Sequence, residues 1–235
     1  MLILFQILIL SSMCAIAAAA AAIPEAGQSH SHIQGTYWNG ATLAGSCLMQ
    51  TTYGDALPGG LPYVAVAQDL NANGQYCGAC IKVSPLTGKR PPVIAMVSSF
   101  CPDCPAGALD IPGSLYDLLM GTAPQRPGIA KFNWEVVACP LGNRMPKIKN
   151  KEGSSKWHLS MAVFDNSHPI KSVSIKSGTQ KLDAYHRDYN YWELHDAGTL
   201  EETVDVTVTC TNGRSFTVPN VDPSSTRAFD APSQC

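Results

Sequence analysis

The sequence predicts an all-β chain of two successive domains, the second a β-sandwich. Three observations predict it. The chain has 235 residues, long for one all-β domain and comfortable for two of about 100 residues each. Its 19 glycines and 17 prolines make about 15% of the chain, above a background of about 12%, and imply many turns between short strands. Strict apolar alternation runs through Val204, Val206, Val208 and Cys210, the signature of a strand with one buried face.

Composition excludes several classes. Apolar residues at 45% make this a folding chain. Lys and Arg number 16 against 18 Asp and Glu, a net charge of -2, which argues against a general nucleic-acid binder. No heptad pattern suggests a coiled coil.

Residues 1–22 are expected to be a signal peptide. An uncharged apolar stretch, Leu2 to Leu10, precedes six alanines, Ala17 to Ala22, and then Ile23-Pro24. Small residues before a proline-bounded break suit cleavage near Ala20 to Ala22. The chain is therefore expected to be secreted, with no membrane association after cleavage. The rival is an uncleaved anchor, which Gln6, Ser11 and Ser12 disfavour. Cys14 leaves with the signal, and Cys47, Cys77, Cys80, Cys101, Cys104, Cys139, Cys210 and Cys235 remain. An even count in a secreted chain reads as disulfides. The spacing Cys77-x-x-Cys80 … Cys101-x-x-Cys104 also fits a four-cysteine zinc site, which an oxidising compartment disfavours. No metal and no cofactor are expected.

Residues 23–34 read as a polar tail in which His30 and His32 are solvated. Residues 35–140, with six cysteines, form the first domain. Strands are expected at Cys80 to Val83, Val93 to Val97 and Phe132 to Val137. Short helices are expected at Tyr63 to Leu70 and at Ile111 to Leu119, the latter with Pro112 early. Residues 141–156 read as a basic linker, with Arg144, Lys147, Lys149, Lys151 and Lys156 against Glu152. It is either solvated or a patch for an acidic surface. Residues 157–235 form the sandwich. Leu159, Met161 and Val163 share a face, and Thr211-Asn212-Gly213-Arg214 turns a hairpin into Phe216 and Val218.

Several segments together resemble the two-domain microbial expansins. They are Gly35-Thr36-Tyr37, Ala65 to Gln68, Asn73 to Cys80, Gly107-Ala108-Leu109-Asp110 and Lys131 to Val137, followed by Lys151 to Trp157 and Asp188-Tyr189-Asn190. Their joint order and spacing, over roughly residues 35–230, carry the resemblance. It implies a six-stranded double-psi β-barrel, related to family-45 endoglucanases, then an immunoglobulin-like cellulose-binding module of family 63. It further implies a protein that loosens cell-wall polysaccharide without hydrolysis; the chain is expected to be a monomer. Plant- and fungal-type relatives imply the pairs Cys47–Cys77, Cys80–Cys139 and Cys101–Cys104; in the sandwich, Cys210 and Cys235 are expected to tie down the C-terminus.

The resemblance names Asp110, Thr36 and Tyr37 as candidate catalytic residues of a groove. An inverting glycosidase needs an acid and a base. Asn39 stands where related endoglucanases carry the base, and an amide has no basic lone pair. Asp103 reads as a solvated loop residue. Asp110 could instead cap the following helix. Ser99 and Cys101 replace a second aspartate and a tyrosine of the bacterial groove. In the sandwich, Trp157 and Tyr189 match two of three aromatics that line up on cellulose, and His158 replaces the middle ring. Tyr191 could extend that platform and Lys151 sits beside it, with Trp192 inward. Trp157 shares the parity of Leu159 and could instead be core. The expected partners are cellulose and other plant or fungal wall polysaccharides, with no nucleic acid. The alternatives are a weak family-45-like endoglucanase, a barwin- or cerato-platanin-like chitin-binding defence protein and, more distantly, a protease inhibitor. No Asn-x-Ser/Thr sequon occurs.

Overall fold

A computed structural model describes residues 23–40, 43–87, 90–122 and 127–235. The expected signal peptide and Cys14 lie outside the described residues. The structure is nearly all β, with 42% of the described residues in strands and 9% in helices.

Six strands close a barrel. They are β1 (Ser29–Trp38), β2 (Tyr63–Ala67), β3 (Cys80–Pro85), β4 (Val93–Cys101), β5 (Leu109–Pro112) and β6 (Ala130–Val137), in the order β1-β5-β2-β4-β3-β6. The β1–β5 and β2–β4 pairs are parallel and the others antiparallel. Val64, Val66, Ile81, Val83 and Phe132 fill its core, where Trp134 donates its indole N–H to the Gly107 carbonyl at 3.0 Å. Of the two expected helices, only the second forms, as α2 (Gly113–Met120), after a short α1 (Met49–Tyr53). Tyr63 to Leu70 instead makes β2 and a 3-10 turn at Gln68–Leu70. Val64, Ala65, Val66 and Ala67 are all buried, so a strand enclosed on both faces loses its alternation and mimics a helical stripe.

The second unit holds β7 (Lys147–Asn150), β8 (Ser160–Phe164), β9 (Ile170–Ser177), β10 (Gln180–His186), β11 (Trp192–Glu193), β12 (Val204–Cys210), β13 (Ser215–Val221) and β14 (Ala228–Asp230). Their order is β13-β12-β9-β10-β11-β8-β7-β14, all antiparallel. β10 pairs with β9 through residues 180–184 and with β11 through 185–186, so it joins the two layers of the sandwich. Leu159, Met161, Val163, Trp192, Val206 and Val208 meet in a separate core.

Two segments are ordered where the sequence suggested a tail and a linker. β1 starts at Ser29, and His30 stacks on Trp134 with ring centroids 4.3 Å apart, so His30 is not a solvated histidine. Burial, partly offset by the Asp69 charge, lowers its pKa. β7 lies inside the basic stretch, with Ile148 in the sandwich core. Three of the five cations of the basic stretch are held in ion pairs. Arg144 pairs with Asp165 at 2.8 Å, Lys147 with Asp230 at 2.6 Å and Lys156 with Glu202 at 2.9 Å.

The disulfides are Cys47–Cys77, Cys80–Cys139, Cys101–Cys104 and Cys210–Cys235. Cys77 and Cys80 bond to different partners, so the four cysteines of the zinc spacing are consumed as disulfides.

Barrel and sandwich touch through named contacts. The Asp165 N–H donates to the Tyr53 hydroxyl at 3.1 Å, and the Tyr53 ring meets Phe164 edge-on at 5.7 Å. Burial first, then the Asp165 carboxylate, pushes the Tyr53 phenol upward. Gly74, at φ +78°, lies so close that a Cβ there would come within 2.3 Å of the Arg187 carbonyl oxygen.

Candidate functional site

The strand register builds a groove across the barrel. Thr36 pairs with Asp110, Asp110 with Ala65, and Ala65 with Ser99. Residues opposite one another in neighbouring strands share a face. Thr36 Oγ1 donates to Asp110 Oδ1 at 2.7 Å. Asp110 sits in β5, and the N-cap of α2 is Pro112 without a side-chain cap bond, so Asp110 is a groove residue and not a helix cap. Two adjoining depressions meet at Asp110. One includes Trp38, Ala65, Ser98 and Ser99, and the other Thr36, Asp103 and the Cys101–Cys104 bridge.

Tyr37 does not join Thr36 and Asp110. Alternation along β1 turns it to the opposite face, where it pairs in register with buried Ile111 and its ring lies 5.0 Å from that of Tyr116. The ring missed by sequence reasoning is Trp38, which alternation returns to the groove side and which lines it.

Ser99 has its own structural partners. The Ser46 N–H donates to Ser99 Oγ at 3.1 Å, the two hydroxyls lie 3.2 Å apart, and the Phe100 N–H donates to Ser46 Oγ at 3.0 Å. A Cβ on Gly45 would sit 2.5 Å from the Ser99 Cβ. A glycine-dependent loop, pinned by Cys47–Cys77, therefore closes over this position with neutral groups. Asn39 is exposed. Asp103 is exposed in a turn, as expected of a solvated loop residue, and it also lines the same depression as Asp110.

On the sandwich, Trp157 is 71% exposed, so it is not core despite its parity with Leu159. It occupies a tight turn in which Ser155 and His158 exchange backbone hydrogen bonds of 2.8 and 3.2 Å, and the turn breaks the alternation. His158 is exposed beside it. Lys156 Nζ lies 5.2 Å from the Trp157 ring centroid.

Tyr189 is held by groups the sequence reading missed. Its hydroxyl donates to Glu193 Oε1, which also accepts from Ser160 Oγ at 3.1 Å, while Arg187 Nε lies 3.5 Å from the other oxygen. Burial alone would raise the Glu193 pKa. The hydrogen bonds from Tyr189 and Ser160 and the charges of Arg187 and Lys151 outweigh that and lower it. Glu193 therefore stays ionised and fixes the phenol. Lys151 Nζ sits 4.9 Å from the Tyr189 ring and 5.4 Å from the Tyr191 ring.

Tyr191 does not extend an exposed platform. It is only 8% exposed, and its hydroxyl lies 3.3 Å from Thr51 Oγ1 of the barrel. β10 ends at His186 and β11 begins at Trp192, so residues 189 to 191 form a turn and not a strand with a shared face. Trp192 is buried in the core, as expected.

No protein-family model matches the chain. "Expansin-like protein 3" of Dictyostelium discoideum is 30% identical over 164 residues, covering 66% of this chain and 47% of that protein. The Expansin-YoaJ protein of Bacillus subtilis is 24% identical over 183 residues, 76% of each chain. A crystal structure of a mutant Clavibacter michiganensis expansin in complex with cellohexaose superposes with a TM-score of 0.73 and 26% identity, covering 88% of this chain and 98% of that one. By sequence and by fold, the chain is an expansin-like protein. The apo form of the Clavibacter expansin gives the same TM-score at 24% identity. This expansin-like chain spans about half the length of the first Dictyostelium relatives it matches, 47% and 53%. Among the described residues, no helix is long and apolar enough to cross a membrane.

Proposed function

We propose that this expansin-like protein is secreted, binds cellulose and related wall glucans through the aromatic surface around Trp157 and Tyr189, and loosens them without hydrolysis. The observation that carries the reading is the exposed Trp157 ring, on the same unit as a tyrosine fixed by Glu193, together with a barrel groove in which Thr36 holds Asp110. Rigid rings cover the flat faces of sugars at little entropic cost. In the groove, the Thr36 hydroxyl holds the Asp110 carboxylate in place to accept hydrogen bonds from a glucan chain. An inverting cut would also need a base on the other side of the scissile bond. Asn39 has no basic lone pair, and Ser99 is tied to Ser46.

Asp103 favours a second reading, residual hydrolysis, because it lines the same depression as Asp110. Weakening of cellulose paper and release of reducing ends, measured on one preparation, separate the two. Loosening is expected with no sustained sugar release. Release that is abolished by both Asp110→Asn and Asp103→Asn would establish the hydrolase.

A further inference from the structure

The sandwich carries an exposed aromatic that no motif singled out. Tyr185, the penultimate residue of β10, pairs with Glu193 of β11 and is 61% exposed. The His195 ring meets it edge-on, with centroids 5.1 Å apart. The two line a depression together with His186, Arg187 and Asp188, and Asn73 of the barrel also lines it. An exposed ring flanked by an amide, a guanidinium and a carboxylate is the arrangement that stacks on a sugar face and hydrogen-bonds its hydroxyls. The lining carries one cation and one carboxylate, so it has no excess charge to draw an acidic or a basic sugar. Arg187 and Asp188 oppose each other, and Arg187 is already engaged by Glu193 at 3.5 Å.

We propose that Tyr185 and His195 form a sugar subsite for a single neutral glucan chain at the junction of sandwich and barrel, separate from the surface around Trp157. The subsite rests on the reading that this protein binds glucans. Its position against Asn73 gives it one wall on each unit, so a chain held there is passed from the sandwich towards the barrel. A concave site of this kind takes an isolated chain, whereas an exposed ring such as Trp157 suits a crystal face.

The test uses the full mature chain and cellohexaose as the soluble probe, followed by calorimetry. Tyr185→Ala is expected to weaken cellohexaose binding five- to tenfold, the lower part of the range for loss of one stacked ring, and Tyr185→Phe, which keeps the ring, by no more than about twofold. Tyr185 is exposed, so neither change threatens the fold. Nitration of the native chain with tetranitromethane, mapped by peptide, should modify Tyr185, and cellohexaose should protect it. Unchanged affinity in Tyr185→Ala, while Trp157→Ala binds insoluble cellulose more weakly, would overturn the subsite and leave the glucan-binding reading standing. Wild-type protein that adsorbs to insoluble cellulose but ignores cellohexaose would overturn it equally. If neither variant changes binding to either form of cellulose, the glucan-binding reading around Trp157 fails as well.

Discussion

Acid should weaken the sandwich through one histidine. The His186 ring stacks on Trp192 with centroids 4.3 Å apart and planes within 7°. Its Nε2 lies 3.3 Å from Asn190 Oδ1, and its solvent-shielded Nδ1 has no partner among the described residues. The neutral ring with a proton on Nε2 satisfies that geometry. A second proton would place an N–H at Nδ1 with nothing to receive it. Desolvation accordingly lowers the pKa from 6.5 to about 4, with the Asn190 hydrogen bond opposing. The unfolded chain therefore binds the proton first as pH falls. Stability is full above pH 6.5 and declines between 6.5 and 4. At about 1.4 kcal/mol per pH unit, the loss by pH 4 is at most about 3 kcal/mol, because part of the residue still touches solvent and is screened. Glu193 is lowered below 4.5 and adds its own loss only under that pH. Urea unfolding at pH 7, 5.5 and 4 would measure the decline. His186→Phe keeps the stacking but cannot titrate, so its stability should fall less steeply, by the His186 share. Equal pH slopes in the two proteins would refute the reasoning. His30 and His168, whose pKa values burial also lowers, contribute to both curves and cancel in the comparison.

Thiol titration of the mature chain under denaturing, non-reducing conditions should find about zero free thiols, since all eight cysteines are paired. Arg144→Ala should cost about 1–3 kcal/mol in denaturant unfolding, because it strips the ionic partner from the fully buried Asp165 side chain while the half-exposed position of Arg144 lets solvent screen part of the loss. Losing the exposed Trp157 ring should cost about 1–3 kcal/mol, by analogy with stacked bases, so Trp157→Ala should adsorb to cellulose roughly tenfold more weakly with little salt dependence. His158→Trp, which adds a ring beside it, should tighten adsorption. No change in either variant would place the binding surface elsewhere.

The fold was legible where one face is wet. Val204 to Cys210 alternates because β12 has one buried and one outer face, and the sequence shows it directly. β2 was misread because the barrel encloses it on both sides and removes the alternation. His30 and Ile148 read as tail and linker because each is a lone ring or apolar residue in a polar run and carries no periodic signal. The cysteines pair as the family resemblance implied, which composition alone could not specify.

The site was legible as residue identities but not as directions. Parity correctly separates Thr36 from Tyr37, yet the motif named both, and only the β1–β5 register shows that Thr36 alone faces Asp110. Parity then fails for Trp157 and Tyr191, and for one reason: both sit in turns. A turn releases each side chain from the strand's two-residue repeat. It sends Trp157 out to solvent and Tyr191 against Thr51 of the barrel. Glu193 carries no motif at all. It is an acid beside core Trp192, and its role exists only because the chain doubles back through residues 187 to 191 and brings Tyr189 and Arg187 onto its two oxygens. That same reversal leaves Tyr185 at the open end of β10, facing Asn73 across the junction. The contacts most relevant to binding therefore lie where regular structure stops, and there sequence periodicity carries no information about direction.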